Sequence, residues 1–235
     1  MSKYYSDKLS AARLKEVYDI APPRVRQYLD AEVNHVLDKI RPGDLVIELG
    51  CGYGRILAKL AGKAGWVIGI DISAPTLELA RETVDTVSNC SLSRMDAAKL
   101  GFNDRTFDCV VCIQNGISAF HVDQRALISE SVRVARPDGI VLFSSYSDKF
   151  WEHRLKWFEL QSEAGLVGEI NYKKTKDGII VCNDGFVATT VRSMDFLALT
   201  AHLNVDVQVA EVDESSMFCE MAPRAGSSKE GKRGC

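Results

Sequence analysis

A glycine-rich turn between an apolar run and a helix-forming segment constrains the fold of this chain more than any other feature. Residues 45–49 are mostly apolar, Gly50, Gly52 and Gly54 follow at alternate positions, and residues 55–60 have helical spacing. Such glycines let the backbone turn sharply and let a ligand lie against the main chain, beside the free N–H groups of a helix N-terminus. The pattern predicts a loop that binds a nucleotide-containing cofactor, although an ordinary strand-to-helix turn also contains glycines.

The spacing of the glycines separates this loop from two common nucleotide-binding loops. A dinucleotide fingerprint needs its third glycine at position 55, which is Arg55, and a P-loop needs Gly-Lys-Ser/Thr, which is absent here. An NAD-dependent oxidoreductase therefore stays open as an alternative that Arg55 disfavours.

A carboxylate follows the next apolar segment at a spacing that suits a ribose. Residues 66–70 are apolar, and Asp71, with its neighbour Ile72, comes 21 residues after Gly50. In doubly wound folds an acid about 20 residues beyond the glycine loop accepts hydrogen bonds from ribose hydroxyls, because adjacent parallel strands end side by side. Asp71 could instead cap the helix that follows, a role for which Ser73 competes.

Later segments continue the alternation of strands and helices. A short strand ends at Asp96 and Ala97, and a buried strand over residues 107–113 opens into a loop at Gln114 and Asn115. Beyond it, the sequence predicts a helix, a turn at Pro137-Asp138-Gly139 and another buried strand. Strands that alternate with helices in this way are typical of a parallel sheet.

These motifs, in this order over residues 44–146, resemble those of class I S-adenosylmethionine (SAM) methyltransferases of the small-molecule type. Arg136-Pro137-Asp138-Gly139 is similar to the family's LKPGG approach to its fifth strand. The resemblance implies an α/β fold, with a Rossmann-like, doubly wound sheet of seven strands whose last strand is antiparallel. It also implies SAM as cofactor.

The resemblance assigns roles to the candidate cofactor-binding residues. Glu48 is expected near the charged amino acid end of SAM, the glycines beside its methionine part, and Asp96 at the adenine amino group. Cys51 is expected to contact the cofactor through its backbone. Amino-terminal tyrosines, of which Tyr4, Tyr5 and Tyr18 are candidates, are expected at the cofactor carboxylate or as packing of a lid. The remaining cofactor-binding candidates are Gly50, Gly52, Gly54, Asp71, Ile72, Ala97, Gln114 and Asn115.

The domain organisation follows from the same patterns. One domain is expected over residues 1–221, with an amino-terminal helical lid (1–43), the SAM-binding core (44–146), a helix and small antiparallel β insertion (147–191), and a last helix with two strands (192–221). The polar residues 222–235 are expected to be disordered. The insertion leaves the carboxyl end of a strand, so it is placed to cap the substrate site. Its aromatic residues either line that site or pack the insertion.

The candidate catalytic residues are His121 and Tyr146. A methyl acceptor that arrives protonated needs a base with a pKa near the working pH, and His121 follows the Gln114 loop in a run that partly resembles the GNSFAHL segment of glycine N-methyltransferase-like enzymes. Tyr146, just past the fifth strand, is the second candidate. His121 could equally make structural hydrogen bonds.

Composition narrows the acceptor. A net charge of -3 argues against a nucleic-acid groove, and the loop at Gln114 lacks the Asn/Asp-Pro-Pro-Tyr/Phe motif of methyltransferases that act on adenine N6 or glutamine amides. Cys109 and Cys112 are expected on opposite faces of one strand, so no metal site is predicted. A cytoplasmic enzyme without a membrane span is expected, acting on a nitrogen or oxygen atom of a small molecule. Thiol or arsenite methylation and other SAM-binding functions stay open, as does the oligomeric state.

Overall fold

A computed structural model describes residues 11–224 of the chain. The helices are α1 (Ala12–Asp19), α2 (Pro23–Lys39), α3 (Leu57–Ala61), α4 (Ala74–Thr83), α5 (Gly116–Ala119), α6 (Gln124–Val134), α7 (Trp151–Glu163) and α8 (Ser193–Thr200). The strands are β1 (Leu45–Leu49), β2 (Trp66–Asp71), β3 (Cys90–Arg94), β4 (Phe107–Cys112), β5 (Ala135–Tyr146), β6 (Ile180–Val181), β7 (Val187–Ala188), β8 (Val205–Val212) and β9 (Ser216–Pro223).

Seven strands form one sheet in the order β3-β2-β1-β4-β5-β9-β8. The pairs from β3 to β5 are parallel, whereas β9 lies antiparallel between β5 and β8. The predicted Rossmann-like sheet with an antiparallel last strand is therefore confirmed. Because the parallel strands end at one edge, the loops after β1, β2, β3 and β4 meet there.

The two faces of the sheet bury separate hydrophobic cores, as β4 illustrates. Cys109 and Val111 pack into one core, while Val110 and Cys112 pack into the other. Successive side chains on a strand point to opposite faces, so the predicted separation of Cys109 from Cys112 is confirmed. Burial raises the pKa of both thiols, which therefore act as small hydrophobic side chains.

A third core joins the amino-terminal helices to the insertion above the end of β5. The small antiparallel sheet of β6 and β7 confirms the predicted β insertion. Members of this core come from α1, α2, the end of β5, α7 and the hairpin, among them Val17, Tyr28, Tyr146, Trp157 and Phe186. This core holds the helices α1, α2 and α7 over the edge of the sheet where the parallel strands end.

The structure departs from the predicted boundaries in two places. The expected turn at Pro137-Asp138-Gly139 is an irregularity inside β5, because Phe107 pairs with Ala135 and Cys109 with Ile140. A Cβ at Gly139 would lie 2.7 Å from the Asp108 carbonyl oxygen, so this close approach requires glycine.

At the carboxyl end, β9 continues to Pro223, beyond the predicted start of the disordered tail at 222, because Val205 and Asp206 pair with Pro223 and Ala222. Residues 225–235 and the candidates Tyr4 and Tyr5 lie outside the described residues. Over residues 11–224, no helix has both the length and the apolar character needed to cross a membrane.

Candidate active site

A cavity of about 310 Å³ opens at the carboxyl edge of the sheet, between the strand ends and the helices α1 and α7. Its size falls within the usual range for small-molecule sites. It brings together eleven of the predicted site residues: Tyr18, Glu48, Gly50, Cys51, Gly52, Asp71, Ile72, Asp96, Ala97, Gln114 and Tyr146.

The glycine turn is held in place by hydrogen bonds to β2. The Cys51 N–H donates to the Ile70 carbonyl at 2.8 Å, and the Gly52 N–H donates to Asp71 Oδ2 at 3.1 Å. Gly50 and Gly52 both have positive φ, which glycine adopts without strain. A Cβ at Gly52 would lie 3.1 Å from Leu14, so α1 packs directly on the turn.

Asp71 connects the turn to the start of α4. Its Oδ1 accepts from the Ser73 N–H at 2.8 Å, and Ser73 is the residue that caps α4, through its hydroxyl and the Thr76 N–H. The alternative role of Asp71 as the cap of α4 is therefore wrong. Burial raises the pKa of Asp71, and its backbone hydrogen bonds partly oppose that rise. A carboxylate has about four lone-pair sites, so Asp71 keeps the capacity to accept a further hydrogen bond from a ligand.

Glu48 is a buried carboxylate whose Oε2 has no hydrogen-bond partner among the described residues. Burial raises the pKa of Glu48 to about 8, although Arg55 opposes the rise. The Arg55 guanidinium lies 4.7 Å from the centre of the Tyr18 ring, and its Nη2 also has no partner within the described part of the chain. Buried, unpartnered polar atoms are costly in a protein without a ligand. This end of the cavity therefore suits a molecule that carries both a cationic and an anionic group.

Gln114 is held at the end of β4 in a strained conformation. Gln114 and Asn115 have φ of 56° and 60°, which is unusual for residues other than glycine. The Gln114 N–H donates to Glu32 Oε2 at 2.8 Å and to Ser144 Oγ at 2.9 Å. Its side-chain Oε1 accepts from the Tyr18 hydroxyl at 3.1 Å, while its Nε2 has no partner among the described residues.

Most of the aromatic rings that line the cavity come from α1, α2, α7 and the end of β5, rather than from the glycine turn. We use the name aromatic compartment for the cavity lining contributed by α1, α2, α7 and β5, which comprises Leu14, Val17, Tyr18, Tyr28, Tyr146, Trp157, Phe158 and Gln161. The guanidinium of the buried Arg154 lies 4.2 Å from the centre of the Tyr146 ring. Burial raises the pKa of Tyr146 to about 12, against the influence of Arg154. At neutral pH Tyr146 is thus a hydroxyl donor and a poor general base.

Three predicted site residues, Gly54, Asn115 and His121, are not among the residues that line the cavity. Gly54 packs against Ala80, Leu57 and Val84. Asn115 is buried between β5 and the insertion, where it accepts from Ser145 Oγ at 2.8 Å and donates to the Thr189 carbonyl.

His121 is half-buried beside two residues that line the cavity, Phe120 and Val122, and burial lowers the pKa of its imidazole.

Several lining or supporting residues carry no signal in the sequence. The ring of Phe120 covers Gly50, since a Cβ there would lie 2.4 Å from it. Glu32 sits in the middle of α2, 82 residues before the Gln114 it holds. The sequence marks Arg55 only as the residue at the position where a dinucleotide fingerprint needs its third glycine, and no sequence pattern marks Gln161. A charged residue at an inward position of α2 is the one pattern that could have marked Glu32.

The glycine turn and the ends of β1 and β2 lie within a part of the chain that matches a known protein family. Residues 46–139 match a family model described as "Methyltransferase domain". Residues 46–139 thus resemble a methyltransferase domain. Among the described residues, no three His, Cys, Asp or Glu side chains are grouped closely enough to hold a metal ion.

The relatives of this chain are named for different methyl acceptors. It is 30% identical over 151 residues to 2-methyl-6-phytyl-1,4-hydroquinone methyltransferase of Synechocystis sp., a match that covers 56% of the chain and 46% of the relative. It is 29% identical over 154 residues to probable tRNA methyltransferase 9B of Bos taurus, covering 65% of the chain and 30% of the relative. The chain thus spans less than half the length of either relative.

A solved structure shares the fold over nearly the whole chain. The structure described as the DhpI-SAM-HEP complex superposes with a TM-score of 0.61 at 22% identity, covering 94% of this chain and 95% of that one. At this level of identity the likeness concerns the fold.

Proposed function

We propose that this chain is a SAM-dependent methyltransferase that transfers a methyl group to a nitrogen or oxygen atom of a small-molecule acceptor. The observation that carries the proposal is the pair of carboxylates at the ends of β1 and β2. Glu48 is buried with an unpartnered oxygen, and Asp71 is fixed by the Gly52 and Ser73 N–H groups. A ligand that bonds the free Glu48 oxygen would remove the cost of burying it, and Asp71 stands beside the same turn.

The residues present fit the polar groups of SAM. Glu48 Oε2 would accept a hydrogen bond from the ammonium group of the methionine part, and Arg55 Nη2 would donate to its carboxylate. Asp71 would accept from the ribose hydroxyls. Asp96 lies at the cavity lining beyond β3, where it would accept from the adenine amino group.

When bound, the cofactor supplies an electrophilic methyl group, so the chain mainly has to position the acceptor and exclude water. The rings of Tyr18, Tyr146 and Trp157 exclude water from the acceptor side. Gln114 is aimed into the cavity by Glu32 and Ser144, which hold its strained backbone. Tyr146 keeps its proton at neutral pH, so its hydroxyl would donate a hydrogen bond to the acceptor.

A small acceptor fits the chain better than a nucleic acid, although one relative is named as a tRNA methyltransferase. The net charge is -3, and α1 and α7 enclose the cavity that a base would have to enter. Thiol or arsenite methylation has less support, because the cysteines that contact the cavity are limited to Cys51 among the described residues.

Isothermal titration with SAM, S-adenosylhomocysteine and NAD tests the proposal. Both adenosyl compounds are expected to bind and NAD is not. Glu48→Gln should weaken SAM binding by about 1–3 kcal/mol, the scale for removing a charged hydrogen-bond partner. Glu78→Gln, on the exposed side of α4, is the matched control and should bind as the wild type does. Tight NAD binding without SAM binding would refute the proposal.

A further inference from the structure

Gln161 is a buried polar residue for which the fold supplies no complete set of partners. Its side chain is 2% exposed and lines the cavity, and its Nε2 has no hydrogen-bond partner within residues 11–224. It lies one helical turn beyond Trp157 and Phe158, so the three side chains share the face of α7 that lines the cavity. A leucine would fill this position without burying an unpaired donor.

The charged side chains that line the cavity come from the strand ends and the glycine turn, and one of them, Arg55, reaches the Tyr18 ring of the aromatic compartment. The charged side chains among the described lining residues are Glu48, Arg55, Asp71 and Asp96, which belong to the strand ends and the glycine turn. The aromatic compartment contributes rings, aliphatic side chains, the hydroxyls of Tyr18, Tyr28 and Tyr146, and the amide of Gln161. Arg154 lies behind Tyr146 rather than in the lining, and it donates to the Gly178 carbonyl at 2.9 Å and to Thr190 Oγ1 at 2.6 Å.

These two observations restrict what the aromatic compartment accepts. A charged group placed beside Trp157, Phe158 and Gln161, which carry no charge themselves, would lose its hydration without gaining an opposite charge from them, which is strongly unfavourable. A flat, uncharged ring would instead stack on or meet the edges of the surrounding rings. An oxygen atom on that ring would accept the hydrogen bond that Gln161 Nε2 lacks.

We propose that the methyl acceptor is a neutral aromatic molecule and that Gln161 selects it by donating a hydrogen bond to one of its oxygen atoms. The inference rests on the proposed methyltransferase function and adds the substrate class to it. A site built to donate such a bond discriminates against an analogue that lacks the oxygen, since the buried amide then stays unpaired.

Three probe molecules of similar shape test the inference: 4-methylphenol, which is neutral and has an oxygen; toluene, which lacks the oxygen; and 4-methylbenzoate, which is an anion. Binding of each is measured by quenching of tryptophan fluorescence or by ligand-observed NMR, with the protein saturated with S-adenosylhomocysteine so that no methyl transfer occurs. The wild type is expected to bind 4-methylphenol about tenfold more tightly than toluene, the ratio expected for one hydrogen bond to a buried donor. It is also expected to bind 4-methylphenol more tightly than 4-methylbenzoate, because the carboxylate would lose its hydration.

Gln161→Leu is the decisive variant. It should bind 4-methylphenol and toluene with nearly equal affinity and should bind S-adenosylhomocysteine as the wild type does. Its melting temperature without ligand should be equal to or above that of the wild type, because an unpaired buried amide is removed. A glutamine needed only for the fold would give a lower melting temperature. Gln208→Leu, exposed on β8, is the control and should keep the preference.

The outcomes separate this inference from the function on which it rests. Failure to bind S-adenosylhomocysteine would overturn the methyltransferase proposal and this inference with it. Normal binding of that compound, together with 4-methylbenzoate binding as tight as 4-methylphenol, no binding of any probe, or an unchanged preference in Gln161→Leu, would overturn the substrate class alone.

Discussion

The carboxylate of Glu32 on α2 accepts the backbone N–H of Gln114 at the end of β4, with 2.8 Å between Oε2 and N. Its other oxygen accepts from Ser216 Oγ on β9 at 2.7 Å. One fully buried side chain thus joins the amino-terminal helices, the strand end that faces the cavity and the antiparallel strand. Since Gln114 has a positive φ, this bond stabilises a backbone conformation that the residue would otherwise avoid.

The titration of Glu32 predicts a pH-dependent stability. Burial raises the pKa of Glu32 to about 7, against hydrogen bonds from Ser216, Ser144 and Gln114. The folded state therefore binds a proton that the unfolded state has released above about pH 4.5. Stability should be fully present below that pH and should fall as the pH rises through about 7, by at most about 3 kcal/mol. Urea denaturation from pH 5 to pH 8 measures it, and Glu32→Gln should flatten this fall. An equally steep fall in the variant would contradict the prediction.

Glu48 should show a trade between stability and cofactor binding. The pKa of about 8 means that the folded protein loses stability, relative to a variant without the carboxyl group, as the pH rises from about 4.5 to about 8. The difference in unfolding free energy between Glu48→Gln and the wild type should therefore shift in favour of the variant as the pH is raised from 5 to 8. The affinity of the variant for SAM should decrease. Denaturation and calorimetry on the same preparations measure both effects. A variant that loses stability at pH 8 and retains SAM affinity would show that Glu48 serves the fold.

The contact between Gly50 and Phe120 predicts a specific clash. A methyl group at Gly50, where φ is 70°, would lie 2.4 Å from the Phe120 ring. Gly165 has nearly the same φ, 69°, and a Cβ there would meet nothing within 4 Å. Gly50→Ala should thus destabilise the protein by about 1–3 kcal/mol more than Gly165→Ala, which carries the backbone strain alone.

The double variant Gly50→Ala, Phe120→Ala separates the clash from other effects. Removing the ring should return part of the stability lost in Gly50→Ala, so the two substitutions should not be additive. Thermal denaturation of the four proteins in this cycle measures the coupling. Strict additivity would mean that the ring does not limit this position.

Arg154 fixes the insertion to the site. It is 1% exposed, bonds the Gly178 carbonyl and Thr190, and lies against the Tyr146 ring. Arg154→Met should destabilise the protein by about 3 kcal/mol, because the hydrogen bonds of a buried guanidinium to the Gly178 carbonyl and to Thr190 Oγ1 are lost. Limited proteolysis should then cut the segment between α7 and α8 faster than in the wild type. Arg125→Met, an exposed substitution on α6, is the control.

Much of the fold could be predicted from sequence because its signals are local. The alternation of apolar runs and helical spacing indicates a parallel sheet, and Asp71 lies at the end of β2 as its position after an apolar run indicates. Contacts between distant segments have no such signal. Three such contacts exist only because the hydrophobic cores bring distant elements together, so the roles of these residues become visible only in the folded structure. The contacts join Glu32 to Gln114, Gly50 to Phe120, and Arg154 to Tyr146.

A crystal structure of the protein grown with S-adenosylhomocysteine tests the central claim most directly. We expect the amino group of the ligand within hydrogen-bond distance of Glu48 Oε2 and its ribose hydroxyls within hydrogen-bond distance of Asp71. Its amino acid part should lie against the turn at Gly50 and Gly52. Electron density for the ligand away from both carboxylates, or a turn closed by Phe120 with the ligand bound elsewhere, would contradict it.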